Sequence, residues 1–351
     1  MQAFDSLSRD IQQYIYDKGW PSLTNIQSAA IKQVANTDHN LILSAPTASG
    51  KTEAAFIPAL NSVEDWETGL KVLYVSPLKA LINDQFQRIS ELSEYLDIPI
   101  TRWHGEVSQT QKRKVVNQPK GILLITPESI EGMLVNRPGE AEHLFKGVEW
   151  IIIDELHSFL GTERGIHLQS LLQRISRFMQ APRFIAMSAT LNKKDFGYAK
   201  AFFGSPRHTD ILVDRVKNDL LITIDYTSGE SGPFVARESL EAIYQYSKTE
   251  TMLIFPNSRN RVEEITHKLD KMAKKENAPI RYFAHHSSVD KLLREEVEIL
   301  EKNNEEQLFT ITCTSTLELG IDIGSVDSVV QYGSPPSTSS LSQRLGRSGR
   351  R

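Results

Sequence analysis

The run Ala45-Pro46-Thr47-Ala48-Ser49-Gly50-Lys51-Thr52 is a small-residue loop ending in a lysine and a hydroxyl. It lies directly after apolar Leu41–Ser44 and directly before helix-forming Glu53-Ala54-Ala55. Strand, loop and helix in that order let backbone N–H groups cradle phosphates. Ala48, Ser49 and Gly50 would supply those amides, Lys51 a point charge at the β- and γ-phosphates, and the Thr52 hydroxyl a ligand for Mg2+. The first glycine usual in this pattern is Ala45 here. Further along, apolar Ile151-Ile152-Ile153 delivers Asp154-Glu155-Leu156-His157. A strand ending in adjacent carboxylates suits metal-assisted hydrolysis. Asp154 would hold Mg2+ through water, and Glu155 would orient and deprotonate the attacking water.

The second half carries a different chemistry. In Gln343-Arg344-Leu345-Gly346-Arg347-Ser348-Gly349-Arg350, arginines recur at i, i+3 and i+6. On a helix that spacing puts charge along one side, and the glycines permit close approach to another domain. Guanidinium groups arriving from a second domain can stabilise charge developing on a γ-phosphate. Strand ends offer further phosphate contacts. Ser258 and Arg259 follow apolar Met252–Phe255, and Thr126 is placed as an N-cap with Pro127 at the first helical position. His285 and His286 have one nearby carboxylate, Asp290, and no cysteine, so a metal site is not expected there. Cys313, the only cysteine, reads as core, which also excludes a disulfide framework. Trp20, Trp66, Trp103 and Trp150 read as packing residues rather than base-stacking platforms.

These groups need rigid elements to hold them. β-Branched runs recur at Leu41–Ser44, Val72–Ser76, Ile122–Thr126, Trp150–Asp154 and Phe184–Ser188, then at Met252–Phe255, Arg281–Ala284, Phe309–Thr314 and Ser328–Tyr332. Several are nearly continuous in apolar character, as strands buried on both faces of a parallel sheet are. Between them, Leu78, Leu81, Ile82, Phe86, Ile89 and Leu92 mark one helix face, and Leu168, Leu171, Leu172, Ile175 and Phe178 another. Strand–helix alternation, twice over, predicts two doubly wound α/β domains. The length of 351 residues and 40% hydrophobic content suit two cores. Phe203–Asp219 is the least patterned stretch, so the boundary is expected near Val213, giving domains 1–213 and 214–351. Lys271–Glu276 reads as a solvated helix end. A net charge of −4 excludes a wholly basic surface, so nucleic acid would need a local groove. No apolar run approaches a membrane span, and Met1–Asp10 has no signal-peptide pattern, so the expected location is cytoplasmic.

In the order in which they occur, these patterns resemble superfamily 2 helicases, with Asp154-Glu155-Leu156-His157 as the DExH box. Gln27, in Thr24-Asn25-Ile26-Gln27, resembles the glutamine that reads the adenine edge. Ser76-Pro77-Leu78-Lys79-Ala80-Leu81 and Thr126-Pro127-Glu128-Ser129 resemble motifs that grip one nucleic-acid strand, which implicates Pro77, Lys79 and Thr126. Ser188-Ala189-Thr190 resembles the motif that couples the nucleotide site to that strand, and the resemblance adds His157 to the coupling group. In the second half Asp322 resembles the ribose contact, and Ser315, Thr316, Ser258 and Arg259 resemble backbone-phosphate contacts. Gln343 would meet the γ-phosphate or attacking water, and Arg347 and Arg350 would face ATP. Within the superfamily the chain is similar to the large helicase-related (Lhr) branch. The signatures are Pro77–Leu81 with Asn83-Asp84-Gln85, Gly161-Thr162-Glu163-Arg164-Gly165 after the DExH box, Ala284-His285-His286-Ser287-Ser288, and Thr314–Gly324.

That resemblance implies two RecA-like domains sharing one ATP site in the cleft between them. The expected function is ATP- and Mg2+-dependent translocation on nucleic acid and its unwinding, on single-stranded or tailed duplex DNA with 3′-to-5′ polarity. An RNA helicase, or a duplex translocase that does not separate strands, would share the same motifs. Lhr-type proteins continue well beyond the arginine motif that ends this sequence. The expectation is therefore a core fragment, or a chain that works with a partner supplying the missing parts, and that alone unwinds poorly.

Overall fold

The computed structural model describes residues 2–46, 49–189, 191–214, 221–225, 235–285, 308–314, 317 and 326–348. The chain divides into two compact units, Met1–Val216 and Lys217–Arg351.

The first unit holds β1 (Asn40–Ser44), β2 (Gly69–Val75), β3 (Ile100–Trp103), β4 (Lys120–Ile125), β5 (Trp150–Ile153), β6 (Arg183–Ser188) and β7 (Thr209–Val213). They form a parallel sheet in the order β3-β4-β2-β5-β6-β1-β7. Its helices are α1 (Arg9–Asp17), α2 (Asn25–Asn36), α3 (Lys51–Ser62), α4 (Lys79–Tyr95), α5 (Gln109–Asn117), α6 (Pro127–Asn136), α7 (Pro138–Phe145), α8 (Glu163–Ile175) and α9 (Phe196–Ala201). Alternate strand residues face opposite cores. Leu41, Leu43, Tyr74 and Ile152 pack with residues of α1 to α4, whereas Ile42, Leu73, Ile151 and Ile153 pack with residues of α6 to α9. Burial on both faces is why these strands are apolar at consecutive positions.

Two strands were not expected from sequence, β3 and β7. They are the outer strands of the sheet, only partly buried, and carry polar Thr101, Arg102 and Asp210. β7 falls inside the stretch read as unpatterned. It pairs with β1 from Asn40↔Thr209 to Ser44↔Val213, and Asp214 N continues the ladder by donating to Ser44 O at 2.8 Å.

The second unit holds β8 (Met252–Pro256), β9 (Arg281–His285), β10 (Phe309–Cys313) and β11 (Ser328–Tyr332), parallel and in the order β11-β8-β10-β9. α10 (Arg237–Ser247), α11 (Arg259–Glu276) and α12 (Thr338–Leu345) accompany them. One face packs Leu253, Phe255, Ile311 and buried Cys313; the other packs Ile254 against residues of α10 and α11. Lys271, Lys274, Lys275 and Glu276 are exposed at the end of α11. All four tryptophans pack against the first unit's core, Trp103 and Trp150 buried and Trp20 and Trp66 half-buried. No described helix is long and apolar enough to cross a membrane.

Candidate functional site

Parallel strands send their carboxyl ends to one edge of the sheet, where ligands of open α/β folds bind. β1 delivers the phosphate loop there. Gly50 is the N-cap of α3 at φ 79°, and a Cβ on it would lie 2.5 Å from Gln27 Nε2. The left-handed conformation calls for glycine, and a side chain there would also have to displace the Gln27 amide. Ala45 lies outside the left-handed region, so a side chain is tolerated where the pattern usually has glycine. Ser49 Oγ donates to Pro46 O at 2.8 Å, and Lys51 Nζ donates to the carbonyls of Ala45 and Pro46 at 2.5 and 2.7 Å. Lys51 is thus held within the loop it would serve. Buried Thr52 donates from Oγ1 to Gln85 Oε1 at 3.0 Å. Thr47 and Ala48 lie outside the described residues.

Gln27 is buried against this loop. Thr24 N donates to Gln27 Oε1 at 2.9 Å and Gln27 N to Thr24 Oγ1 at 3.4 Å, a capping box that starts α2. Gln27 Nε2 donates onward to Gly50 O at 3.4 Å. The residue expected to read adenine therefore also struts α2 against the phosphate loop.

β5 delivers the acids. Asp154 and Glu155 are both buried. Tyr74 OH, from neighbouring β2, donates to Asp154 Oδ2, and Glu155 N donates to Asp154 Oδ1 at 2.9 Å. Burial, then the charge of Glu155, push the Asp154 pKa up to about 7 against the opposing pull of Tyr74 and Lys51. Burial and the adjacent carboxylates also hold the Tyr74 hydroxyl well above its ordinary value, so it stays a donor. Glu155 sits at φ 47° and ψ 47°, a conformation rare for a residue with a side chain and typical of strain kept at functional sites.

From Glu155 a line of polar contacts crosses the edge. Glu155 Oε2 lies 3.3 Å from His157 Nδ1, which lies 3.2 Å from Ser188 Oγ. β6 runs between β5 and β1, so Ser188 stands in register with Ser44, and its carbonyl accepts from Ala45 N at 3.2 Å. The contacts and pairing thus bring Gln27, Ser49, Gly50, Lys51, Thr52, Asp154, Glu155, His157 and Ser188 to one stretch of sheet edge. Thr190 lies outside the described residues. The donor set fits Mg2+. Thr52 and Asp154 offer oxygen ligands, and a buried acidic pair in which the Asp154 pKa is raised is the environment a divalent cation relieves.

The carboxyl ends of β2 and β4 carry the other motif residues of this unit. Pro77 is buried, Lys79 is exposed at the start of α4, and Lys79 Nζ lies 3.6 Å from Glu106 Oε1. Thr126 is the N-cap of α6 with Pro127 first in the helix, and its Oγ1 lies 3.1 Å from Ser129 Oγ. Arg164, on α8, meets both segments. Its Nη2 donates to Pro77 O at 2.6 Å, and its Nε donates to Glu128 Oε1 at 2.9 Å. Neither Arg164 nor the supports Tyr74 and Gln85 was assigned a role from sequence. They come from other strands and helices, and only the presence of Arg164 and Gln85 in branch signatures hinted at them.

In the second unit, Ser258 is the N-cap of α11, its hydroxyl accepting from Arg261 N at 3.3 Å, and Arg259 is the first helical residue. Gln343 is buried on α12. Arg344 Nη1 donates to Gln331 Oε1 at 2.7 Å, with its guanidinium 5.0 Å from the Phe255 ring centroid. Arg344 and Arg347 do not share a helix as their spacing suggested. α12 ends at Leu345 with Gly346 as C-cap, which puts buried Arg347 in the turn that follows. Ser315, Thr316, Asp322, Arg350 and His286 lie outside the described residues.

Comparison with known proteins agrees with this arrangement. The DEAD/DEAH box helicase family matches residues 24–196, and the helicase conserved C-terminal domain matches residues 236–351. ATP-dependent helicase Lhr-Core protein 2 of Thermococcus barophilus is 34% identical over 384 residues, covering 100% of this chain and 43% of that protein. The chain belongs to the Lhr-type DExH-box helicases. The Lhr helicase/uracil glycosylase of Escherichia coli is 30% identical, covering 93% of this chain and 25% of its own length. Among solved structures, Mycobacterium smegmatis helicase Lhr bound to ssDNA and AMP-PNP has a TM-score of 0.84 at 28% identity, over 99% of this chain and 46% of that one. DUF1998 helicase MrfA bound to DNA has a TM-score of 0.80 at 27% identity, over 99% of this chain and 50% of that one. This Lhr-type chain spans less than half the length of the curated relatives it matches. Its two parallel-sheet units are the RecA-like folds of these helicases.

Proposed function

We propose that this chain is the ATP-driven motor core of a cytoplasmic helicase that translocates on nucleic acid. Its track would be single-stranded or tailed duplex DNA, followed in the 3′-to-5′ direction. Residues 1–213 would bind and hydrolyse ATP, and residues 214–351 would complete the reaction with Arg347 and Arg350. The observation that carries the reading is the contact line from Glu155 through His157 to Ser188, which reaches back to the phosphate loop at Ala45. A mere nucleotide-binding protein has no need of it. A motor must report the state of its phosphates to the elements that hold the track. The helicases named Lhr and MrfA, with structures bound to DNA, support the choice of DNA.

The loop amides and Lys51 would bind the phosphates, and Thr52 and Asp154 would hold Mg2+, which neutralises charge on the β- and γ-phosphates when bound. Glu155 would orient the attacking water and take its proton. Gln27 would meet the adenine edge, Asp322 the ribose and Gln343 the γ-phosphate or water. Pro77, Lys79, Thr126, Ser258, Arg259, Ser315 and Thr316 would hold the backbone of the track, with His157, Ser188 and Thr190 coupling the two sites.

The test is ATP hydrolysis without nucleic acid, with single-stranded DNA, with duplex and with RNA. Stimulation greatest with single-stranded DNA is expected. Stimulation by none of the three would overturn the reading, and greater stimulation by RNA or duplex would replace the DNA helicase with one of its relatives.

A further inference from the structure

We infer that Arg164 is the positioning residue that locks the two strand-gripping segments of the first unit, Ser76–Leu78 and Thr126–Ser129, into one ridge and ties that ridge to the DExH box. The inference rests on the motor reading above, and names a residue that the reading leaves without a role.

The geometry is that of a fork. Arg164 Nη2 lies 2.6 Å from Pro77 O, at the exit of β2, and 2.6 Å from Glu128 Oε1, in the first turn of α6. Nε donates to the same Glu128 oxygen at 2.9 Å. One planar guanidinium thus joins a backbone carbonyl of one motif to a carboxylate of the next, a task a lysine point charge cannot share between both partners in fixed directions. The contact matters for position more than for stability, because exposed ion pairs contribute little to folding.

The seat of the arginine is built from the DExH segment itself. The chain leaving Asp154 and Glu155 turns through Leu156–Ser158 into buried Phe159, whose ring centroid lies 5.7 Å from the Arg164 guanidinium. Gly165, the next residue, packs its backbone onto Phe159. A Cβ there would lie 1.8 Å from Phe159 O, so only glycine brings the start of α8 this close. The N-cap Thr162 fastens the turn from both sides, with its Oγ1 donating to Phe159 O at 2.9 Å and accepting from Gly165 N at 3.1 Å. A shift at the acids on phosphate release would therefore reach the Arg164 fork through a short, stiff connector.

The experiment compares the full chain with Arg164→Ala and Arg164→Lys. Two quantities are read: the concentration of a fluorescent oligo-dT giving half-maximal ATPase stimulation, and amide hydrogen exchange. In Arg164→Ala that concentration should rise about tenfold, the loss expected for one charge-assisted contact, with KM for ATP held. Exchange should quicken at Ile82, Ser129 and Ile130, whose amides bond to the Leu78 and Thr126 carbonyls. Arg164→Lys should recover only part of either effect, and full recovery would overturn the fork. Weaker activation with unchanged exchange would mean that Arg164 touches the track itself, and would overturn positioning. So would quicker exchange with unchanged activation. If the parent chain is stimulated by no nucleic acid, the motor reading falls separately. Exchange alone then decides whether Arg164 joins the two segments, and unchanged exchange would end the proposal.

Discussion

Asp154 and Asp210 stand at opposite edges of the same seven-stranded sheet, and their surroundings treat the same side chain in opposite ways. At the carboxyl edge, Asp154 is buried beside a second carboxylate, and its pKa rises to about 7. At the amino edge, near the starts of β1 and β7, burial also acts to raise the pKa of Asp210. There it is outweighed by the hydrogen bond and charge of His39, the charge of His208 and the hydrogen bond of Gln33, so the net shift is downward. His39 Nδ1 lies 2.7 Å and Gln33 Nε2 2.6 Å from Asp210 Oδ2, with His208 Nε2 3.2 Å from Oδ1. The amino edge satisfies its acid with protein groups and so fastens an outer strand. The carboxyl edge crowds acids together and leaves their charge for a ligand to complete. The difference separates residues that hold the fold from residues that do chemistry more sharply than residue type does.

The largest effect that tests this contrast is at Lys51. Lys51→Ala should lower kcat/KM for ATP by about 10³-fold or more, because the charge at the transferred phosphoryl group is lost. Near-normal stimulated hydrolysis would remove the carboxyl edge from the chemistry altogether. Next comes Glu155→Gln, which should keep nucleotide binding while kcat falls by about 10²- to 10³-fold, in the range of a lost general base. Nucleotide-binding and single-turnover measurements separate the two. Loss of binding with intact turnover of the bound fraction would reassign Glu155.

Both variants lie in segments that could be read from the chain alone, and the reason is physical. The phosphate loop and the DExH box are continuous in sequence because a strand end and its loop supply whole sets of ligands. The nine strands expected from sequence are all present, and in seven of them burial on both faces leaves an apolar run. The outer strands β9 and β11, only partly buried, keep aromatic and β-branched residues such as Tyr282, Phe283, Val329 and Val330. β3 and β7 escaped because these short outer strands are interrupted by polar residues such as Arg102 and Asp210. The amino-edge cluster escaped for the same reason. Asp210 is 171 positions from His39 and 177 from Gln33, and no local spacing announces such a meeting. Tyr74 on Asp154, Gln85 on Thr52 and Arg164 on Pro77 are likewise products of sheet order and helix packing.

A smaller effect tests the comparison itself. Asp154→Asn removes a buried charge beside Glu155 and keeps an acceptor oxygen for the Glu155 amide. The new amide NH2 can donate to the Tyr74 hydroxyl, which then accepts instead of donating, so the nucleotide-free protein should gain about 1 kcal/mol. Asp210→Asn takes a charge away from two histidines and should cost about as much. For a domain of this size each change is a Tm shift of roughly 2–4 °C, opposite in sign. Thermal melts at neutral pH without nucleotide check both signs. Shifts of the same sign would mean that the two edges do not differ as their surroundings indicate.

The smallest effect is the pH dependence at the amino edge, and its sign follows from linkage. The Asp210 pKa is lowered in the folded state, so the folded form holds its proton less tightly than the unfolded chain does. The resulting stabilisation is fully present above the unfolded-state value, about 3.9 for an aspartate. It disappears as the pH falls through the lower folded value. The Tm difference between the parent chain and Asp210→Asn should therefore be present in full at about pH 5 and narrow only below about pH 4, where both states become protonated. His39→Gln should shrink the same acid-side difference, because it removes the hydrogen bond and the charge that most oppose the effect of burial. A Tm difference that stays constant into strong acid would show that Asp210 does not hold β7 through its charge. The outer strand would then depend on its backbone ladder with β1 alone.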